Sequence, residues 1–151
     1  MSNSPQPYFP FEEKFLVGVA VLDDQHKEIV KRVNELHGLV IDKKSWDSQL
    51  EILTCLLNLT KTHFATEEQV LRVHKYPEYS RHRAAHEGLE RTLKEYWGRI
   101  VKKERVMTLE YVELMKLWLV EHFAEFDHAY VSFLDAKNHP VENPADRVHS
   151  P

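Results

Sequence analysis

Four stretches of this chain repeat apolar residues at alternating intervals of three and four, and each is long enough to cross a helical bundle. They cover about residues 23–40, 45–74, 77–104 and 108–137. The first stripe is Leu22, His26, Ile29, Val33, Leu36 and Val40. The second reads Ile52, Leu56, Leu59, His63, Glu67 and Val70. The third reads Tyr79, His82, His86, Leu89, Leu93, Tyr96 and Ile100. The fourth reads Val112, Met115, Leu119, His122, Phe126, Ala129 and Phe133. The connections, near 42–44, 75–77 and 105–107, are short, which makes successive helices antiparallel. Ser45 with Gln49 resembles a helix start, Pro77 suits a first turn, and Thr108 is a good N-cap ahead of Leu109 and Glu110. The expected fold is all-α, an antiparallel up-down four-helix bundle.

Outside these stretches, about residues 1–21 form an arm broken by Pro5, Pro7 and Pro10, expected to be extended and to pack Tyr8, Phe9, Phe11 and Phe15 onto the bundle. About residues 138–151 form a polar, proline-broken tail. A length of 151 residues fits a single domain over the whole chain. With 42% hydrophobic and 29% charged residues the chain reads as soluble and globular. A net charge of −4 argues against nucleic acid as a partner. No apolar run approaches the roughly 18 residues of a membrane span, so no membrane insertion is expected. The single cysteine, Cys55, excludes an internal disulfide and is expected to be a buried, inert thiol. Together with the lack of a secretion signal, this gives a cytoplasmic expectation.

Five of the ten histidines, His26, His63, His82, His86 and His122, interrupt the stripes, as does Glu67. A buried polar group without a partner costs roughly 2–7 kcal/mol. Six of them on one apolar seam require a compensating ligand. A divalent iron, zinc or copper ion supplies it, because neutral imidazole and carboxylate are good donors. His63 and Glu67 are four apart on one helix face, and so are His82 and His86. His122 and Asp127 are five apart, about 140° around an ideal helix. Spacing therefore leaves Asp127, Glu125 and a water open as the further oxygen donor. Glu68 is expected to be solvated, and His37, His74, His128, His139 and His149 to be surface residues. So many imidazoles and acids exceed the four ligands of a structural zinc site, and only one Glu-x-x-His string occurs, Glu125 to His128.

The strings VGVAVLDDQHKEI around His26, HFATEE at 63–68, HRAAH at 82–86 and WLVEHFAEFD at 118–127 resemble the hemerythrin family, specifically the bacteriohemerythrins. The resemblance implies two iron ions per chain with an oxo or hydroxo bridge. It implies that one iron takes His82, His86 and His122, the other His26 and His63, and that Glu67 and Asp127 bridge them. It also implies an open position on the two-histidine iron, dioxygen as ligand, and an oxygen pocket lined by Ile29, Phe64, Leu119 and Phe123. The expected role is reversible dioxygen binding for storage or delivery to an oxygen-consuming client enzyme, by a monomer that is not itself an enzyme. The alternatives are a di-iron redox enzyme or protective protein acting on peroxide or nitric oxide, and an oxygen or iron sensor.

Overall fold

The computed structural model describes residues 5–138. The expected tail beyond Asn138, with His139 and His149, lies outside the described residues. Helix α1 runs Ala20–Ile41, α2 Trp46–Val73, α3 Tyr79–Val101, α4 Leu109–Glu121 and α5 His128–Asn138. A π-turn, His122–Asp127, joins α4 to α5, so these three pieces form the fourth helix of the bundle. No strand occurs among the described residues. Helix α1 packs against α2 and α4, and α2 against α3. The fold is the expected all-α four-helix bundle, with each helix boundary within a few residues of its predicted place.

Local chemistry explains where the helices begin and end. The Ser45 side chain accepts from the Ser48 amide at 3.2 Å, and Thr108 from the Tyr111 amide at 3.4 Å, so both predicted caps form. The three turns between helices share one device. Lys43, Lys75 and Lys103 have φ of 51°, 56° and 59°. Beside them the Lys44 amide donates to the Leu39 carbonyl at 2.9 Å, Tyr76 to Leu71 at 2.9 Å and Glu104 to Arg99 at 3.0 Å. These are Schellman closures, which usually place glycine at the left-handed position. Lysine takes that place here, which is how a chain with only four glycines closes three tight corners.

The π-turn changes the buried face. A π-helix spreads one extra residue over each turn. Before the turn the predicted stripe holds, with Val112, Met115, Leu119 and His122 buried. After it the buried positions are Asp127, Tyr130 and Leu134, each one residue later than the expected Phe126, Ala129 and Phe133. On α2 the buried line also includes Leu53, Leu57, Thr60, Phe64 and Leu71, whereas Ile52, Leu59 and Val70 are only half-buried. Cys55 is half-buried rather than buried. Buried Thr60 satisfies its hydroxyl by donating to the Leu56 carbonyl at 2.8 Å.

The apolar interior forms two clusters. The larger includes Phe9, Phe15, Ile29, Leu56, Leu93, Met115 and Phe123; the smaller comprises Val17, Leu22, Leu71, Tyr130 and Leu134. Between the residues of the two clusters fall His26 on α1, His63 and Glu67 on α2, and Asp127 on the fourth helix. The arm reaches the interior as expected, since Phe9 and Phe15 are buried, but it is not wholly extended. Residues Glu13–Phe15 form a 3₁₀ turn and α1 already begins at Ala20. Asn34 binds both backbone groups of Phe9, accepting from its amide at 2.7 Å and donating to its carbonyl at 2.8 Å. Gly18, at φ 82°, makes the bend into α1, where the Asp23 carboxylate accepts from the amides of Val17 at 2.7 Å and Gly18 at 3.2 Å.

Candidate metal centre

The seven side chains singled out by the stripes and the resemblance come together, all 0–2% exposed. They divide into two groups compact enough to hold an ion each: Glu67, His82, His86, His122 and Asp127, and His26, His63, Glu67 and Asp127. The two carboxylates belong to both groups. Glu67 turns Oε2 toward His63 Nε2 at 3.4 Å, and Oε1 toward His86 Nε2 at 2.9 Å and toward His82 Nε2. Asp127 turns Oδ2 toward His26 Nε2 at 3.0 Å, and Oδ1 toward His122 at 2.9 Å and His82 at 3.2 Å. Across the groups' own imidazoles, His26 and His63 bring their Nε2 atoms to 2.9 Å, and His86 and His122 to 3.1 Å.

The π-turn bears on the placement that spacing left open. Five residues close about one turn of π-helix, so Asp127 returns to the face of His122. Glu125 is exposed.

Outward hydrogen bonds fix which ring nitrogens face inward. His26 Nδ1 donates to the Phe15 carbonyl at 2.8 Å. His63 Nδ1 donates to Gln25 Oε1 at 2.8 Å, and Gln25 Nε2 in turn donates to Thr66 Oγ1 at 3.3 Å. The Thr66 hydroxyl spends its own proton on the Thr62 carbonyl at 2.9 Å, so it can only accept from Gln25, which orients that amide. His86 Nδ1 donates to Glu68 Oε1 at 3.1 Å. Neutral imidazoles held this way present Nε2 lone pairs to one another and to two carboxylates. Such an arrangement repels itself unless cations lie between, as protons or as metal. Both oxygens of Asp127 are buried and make no hydrogen bond of adequate geometry, despite the short distances to imidazole nitrogens. The donor set fits two divalent ions with imidazole and carboxylate ligands and outward second contacts on the rings.

Without metal, protons fill this role. Burial lowers the pKa of His122, but the charge of Asp127 and the contact with Glu67 outweigh it and raise the value to about 10. His26 and His82 are raised against the same burial by Asp127 and Glu67. Burial dominates at His86, whose pKa is lowered. Burial alone would raise Glu67 and Asp127, yet both are lowered, Glu67 by four surrounding histidines and Asp127 chiefly by His122 and His26.

Three contributors escaped the sequence reading. Glu68 is not merely solvated, since it holds His86. Gln25 holds His63. Tyr130, fully buried, donates its hydroxyl to Glu67 Oε2 at 2.7 Å. Counting three residues on from Asp127 would have found it, had the shifted face been known. The outlying histidines also differ in part. His128 is exposed as expected, but His37 is half-buried and stacks on Tyr8 at 3.7 Å, and half-buried His74 donates to the Val70 carbonyl at 2.8 Å.

The four expected pocket residues, Ile29, Phe64, Leu119 and Phe123, are all buried. Phe123 lies 4.1 Å from the His26 ring and meets Phe15 edge-on at 5.5 Å. Phe64 stacks on His86 at 3.9 Å, which places it against the three-histidine group as well.

Comparison with known proteins gives the family. Residues 17–134 match the family model described as the hemerythrin HHE cation binding domain. A bacteriohemerythrin of Pseudomonas aeruginosa is 32% identical over 131 residues, 87% of this chain and 82% of that protein. A myohemerythrin of Sipunculus nudus is 30% identical over 126 residues, 83% of this chain and 92% of that protein. A crystal structure of a wild-type hemerythrin superposes with a TM-score of 0.74 at 26% identity, covering 78% of this chain and 90% of that one. The chain that folds this histidine-lined bundle belongs to the hemerythrin family.

Proposed function

We propose that this protein binds dioxygen reversibly at a pair of iron ions, as a store or a supply for an oxygen-consuming enzyme. The observation that carries the reading is the sharing of Glu67 and Asp127 between two groups of inward-facing imidazoles. His82, His86 and His122 would hold one ion and His26 and His63 the other, with Glu67 and Asp127 available to both. When bound, an iron pair would supply reversible two-electron chemistry toward dioxygen.

The rest is the work of the chain. The unequal division, three imidazoles against two, leaves the His26 and His63 side with fewer protein donors, so a small ligand would be accommodated there. Phe123 lies against His26 and is braced by Phe15, and buried Ile29, Leu119 and Phe64 are the further residues of the apolar lining proposed here. Such a lining admits dioxygen, which carries no charge, and disfavours water and anions, which lose hydration on entry. Glu67 is held by Tyr130, His63 by Gln25 and His86 by Glu68. These outer contacts hold the proposed ligand side chains in place. No helix among the described residues is long and apolar enough to cross a membrane, and monomeric function needs no donor from a second chain, because both groups are complete within one.

The test is a cycling experiment. Iron-loaded protein is reduced without air, exposed to air, and then flushed with argon while its visible spectrum is followed. A coloured adduct that forms and bleaches through repeated cycles is expected. One-way oxidation with peroxide or nitric oxide turnover would favour the enzymatic alternative.

A further inference from the structure

We propose that the N-terminal arm positions one of the two cation sites selectively, the one served by His26 and His63, and that Asn34 and Asp23 are the positioning residues. The inference rests on the reading of the centre as a metal pair.

The outward hydrogen bonds of the imidazoles come from two kinds of partner. Gln25 and Glu68 stand on α1 and α2, so the rings of His63 and His86 are held from within the bundle. His26 is held from outside it, by a main-chain carbonyl of the arm at Phe15. A carbonyl on a non-helical segment is only as well placed as the segment itself. Two clamps bracket Phe15. Upstream, Asn34 fixes Phe9 through both its amide and its carbonyl. Downstream, the two oxygens of Asp23 fix the amides of Val17 and Gly18. Both clamps stand on α1, the helix that carries His26, with Asp23 about one turn before it and Asn34 about two turns after. The same helix thus presents the imidazole and holds the strap that orients it. The Phe15 ring adds a second constraint, since it braces Phe123, which lies against the His26 ring. Among the described residues, His82, His86 and His122 form no hydrogen bond to the arm. Loosening the arm therefore frees His26 to rotate and weakens the cation position that His26 serves, while the imidazoles of the other position keep their own contacts.

The test uses full-length protein loaded anaerobically with ferrous iron and challenged with excess chelator, with release followed by the colour of the chelate. Asn34→Ala and Asp23→Asn are compared with wild type. In each, one ion per chain is expected to leave about tenfold sooner, the scale typical of lost outer contacts to a metal-binding histidine, with the second ion unchanged. Glu68→Ala should speed the other ion instead. Faster release of both ions together in the clamp variants would mean a loosened bundle and would overturn the proposal. So would unchanged release of both. Asp23→Asn keeps one acceptor and the helix-facing polarity, so it carries the test should Asn34→Ala fail to fold. Wild-type protein that takes up fewer than two ions per chain would instead contradict the metal-pair reading.

Discussion

Leu119 is one helical turn before His122 and only 5% exposed, so a polar residue in its place would weaken the apolar lining proposed for the centre. Leu119→Asn is expected to accelerate autoxidation of the oxygenated, iron-loaded protein about tenfold or more, a factor that corresponds to about 1.4 kcal/mol in the barrier. The decay of the adduct band at constant oxygen measures it, and an unaltered decay would remove Leu119 from the proposed lining. Tyr130 acts through Glu67. Burial first, and then the charges of Glu67 and Asp127, raise its pKa, so the phenol keeps its proton and remains a donor. Tyr130→Phe removes that donor and leaves Glu67 Oε2 without its hydrogen bond. Metal affinity, read by chelator competition, should fall about 10- to 100-fold with helicity unchanged.

At the scale of the element, the three helix-closing lysines are the sharpest departure from local preference. A left-handed residue with a side chain costs roughly 1–2 kcal/mol, which glycine avoids at some expense of unfolded-state entropy. Lys103→Gly should therefore raise stability slightly, by up to about 1 kcal/mol, while Lys103→Val, branched at Cβ, should lower it by more than that. Urea unfolding of the metal-free protein compares them. The number of helices, their order, the first stripe up to Leu36 and the buried histidines of every stripe were legible in the sequence, because burial on a regular helix follows a fixed angle per residue. The fourth stripe failed after His122, because one residue of the π-turn adds nothing to the α-helical count. That shift hid Tyr130 and made Asp127 look misplaced beside His122. Family strings supplied Asp127 where periodicity could not. Glu68 and Gln25 were missed for another reason. Each lies next to a residue of the centre, and adjacency along a helix gives no sign of which neighbouring ring a polar side chain will reach.

At the scale of the whole molecule, a bundle that buries five imidazoles and two carboxylates in one layer has made its stability depend on what neutralises that layer. In the metal-free protein His122 titrates at about 10 against an ordinary 6.5, with His26 and His82 also raised. Groups raised on folding stabilise the fold below their unfolded pKa, and that contribution is lost as pH rises through the folded values. The metal-free protein should therefore lose stability between about pH 6.5 and pH 10. Metal ions displace those protons, so their binding strengthens over the same range. The gap in Tm between loaded and metal-free protein is expected to widen from pH 6.5 toward pH 10; a constant or narrowing gap would show that protons and metal do not compete for one layer.

The central claim is that two ions share Glu67 and Asp127 inside one chain. Anomalous diffraction at the iron edge from crystals of the anaerobically reconstituted protein tests it most directly. Two peaks are expected, one among His82, His86 and His122 and one beside His26 and His63, with both carboxylates between them. A single peak, or iron bound away from these seven side chains, would contradict it.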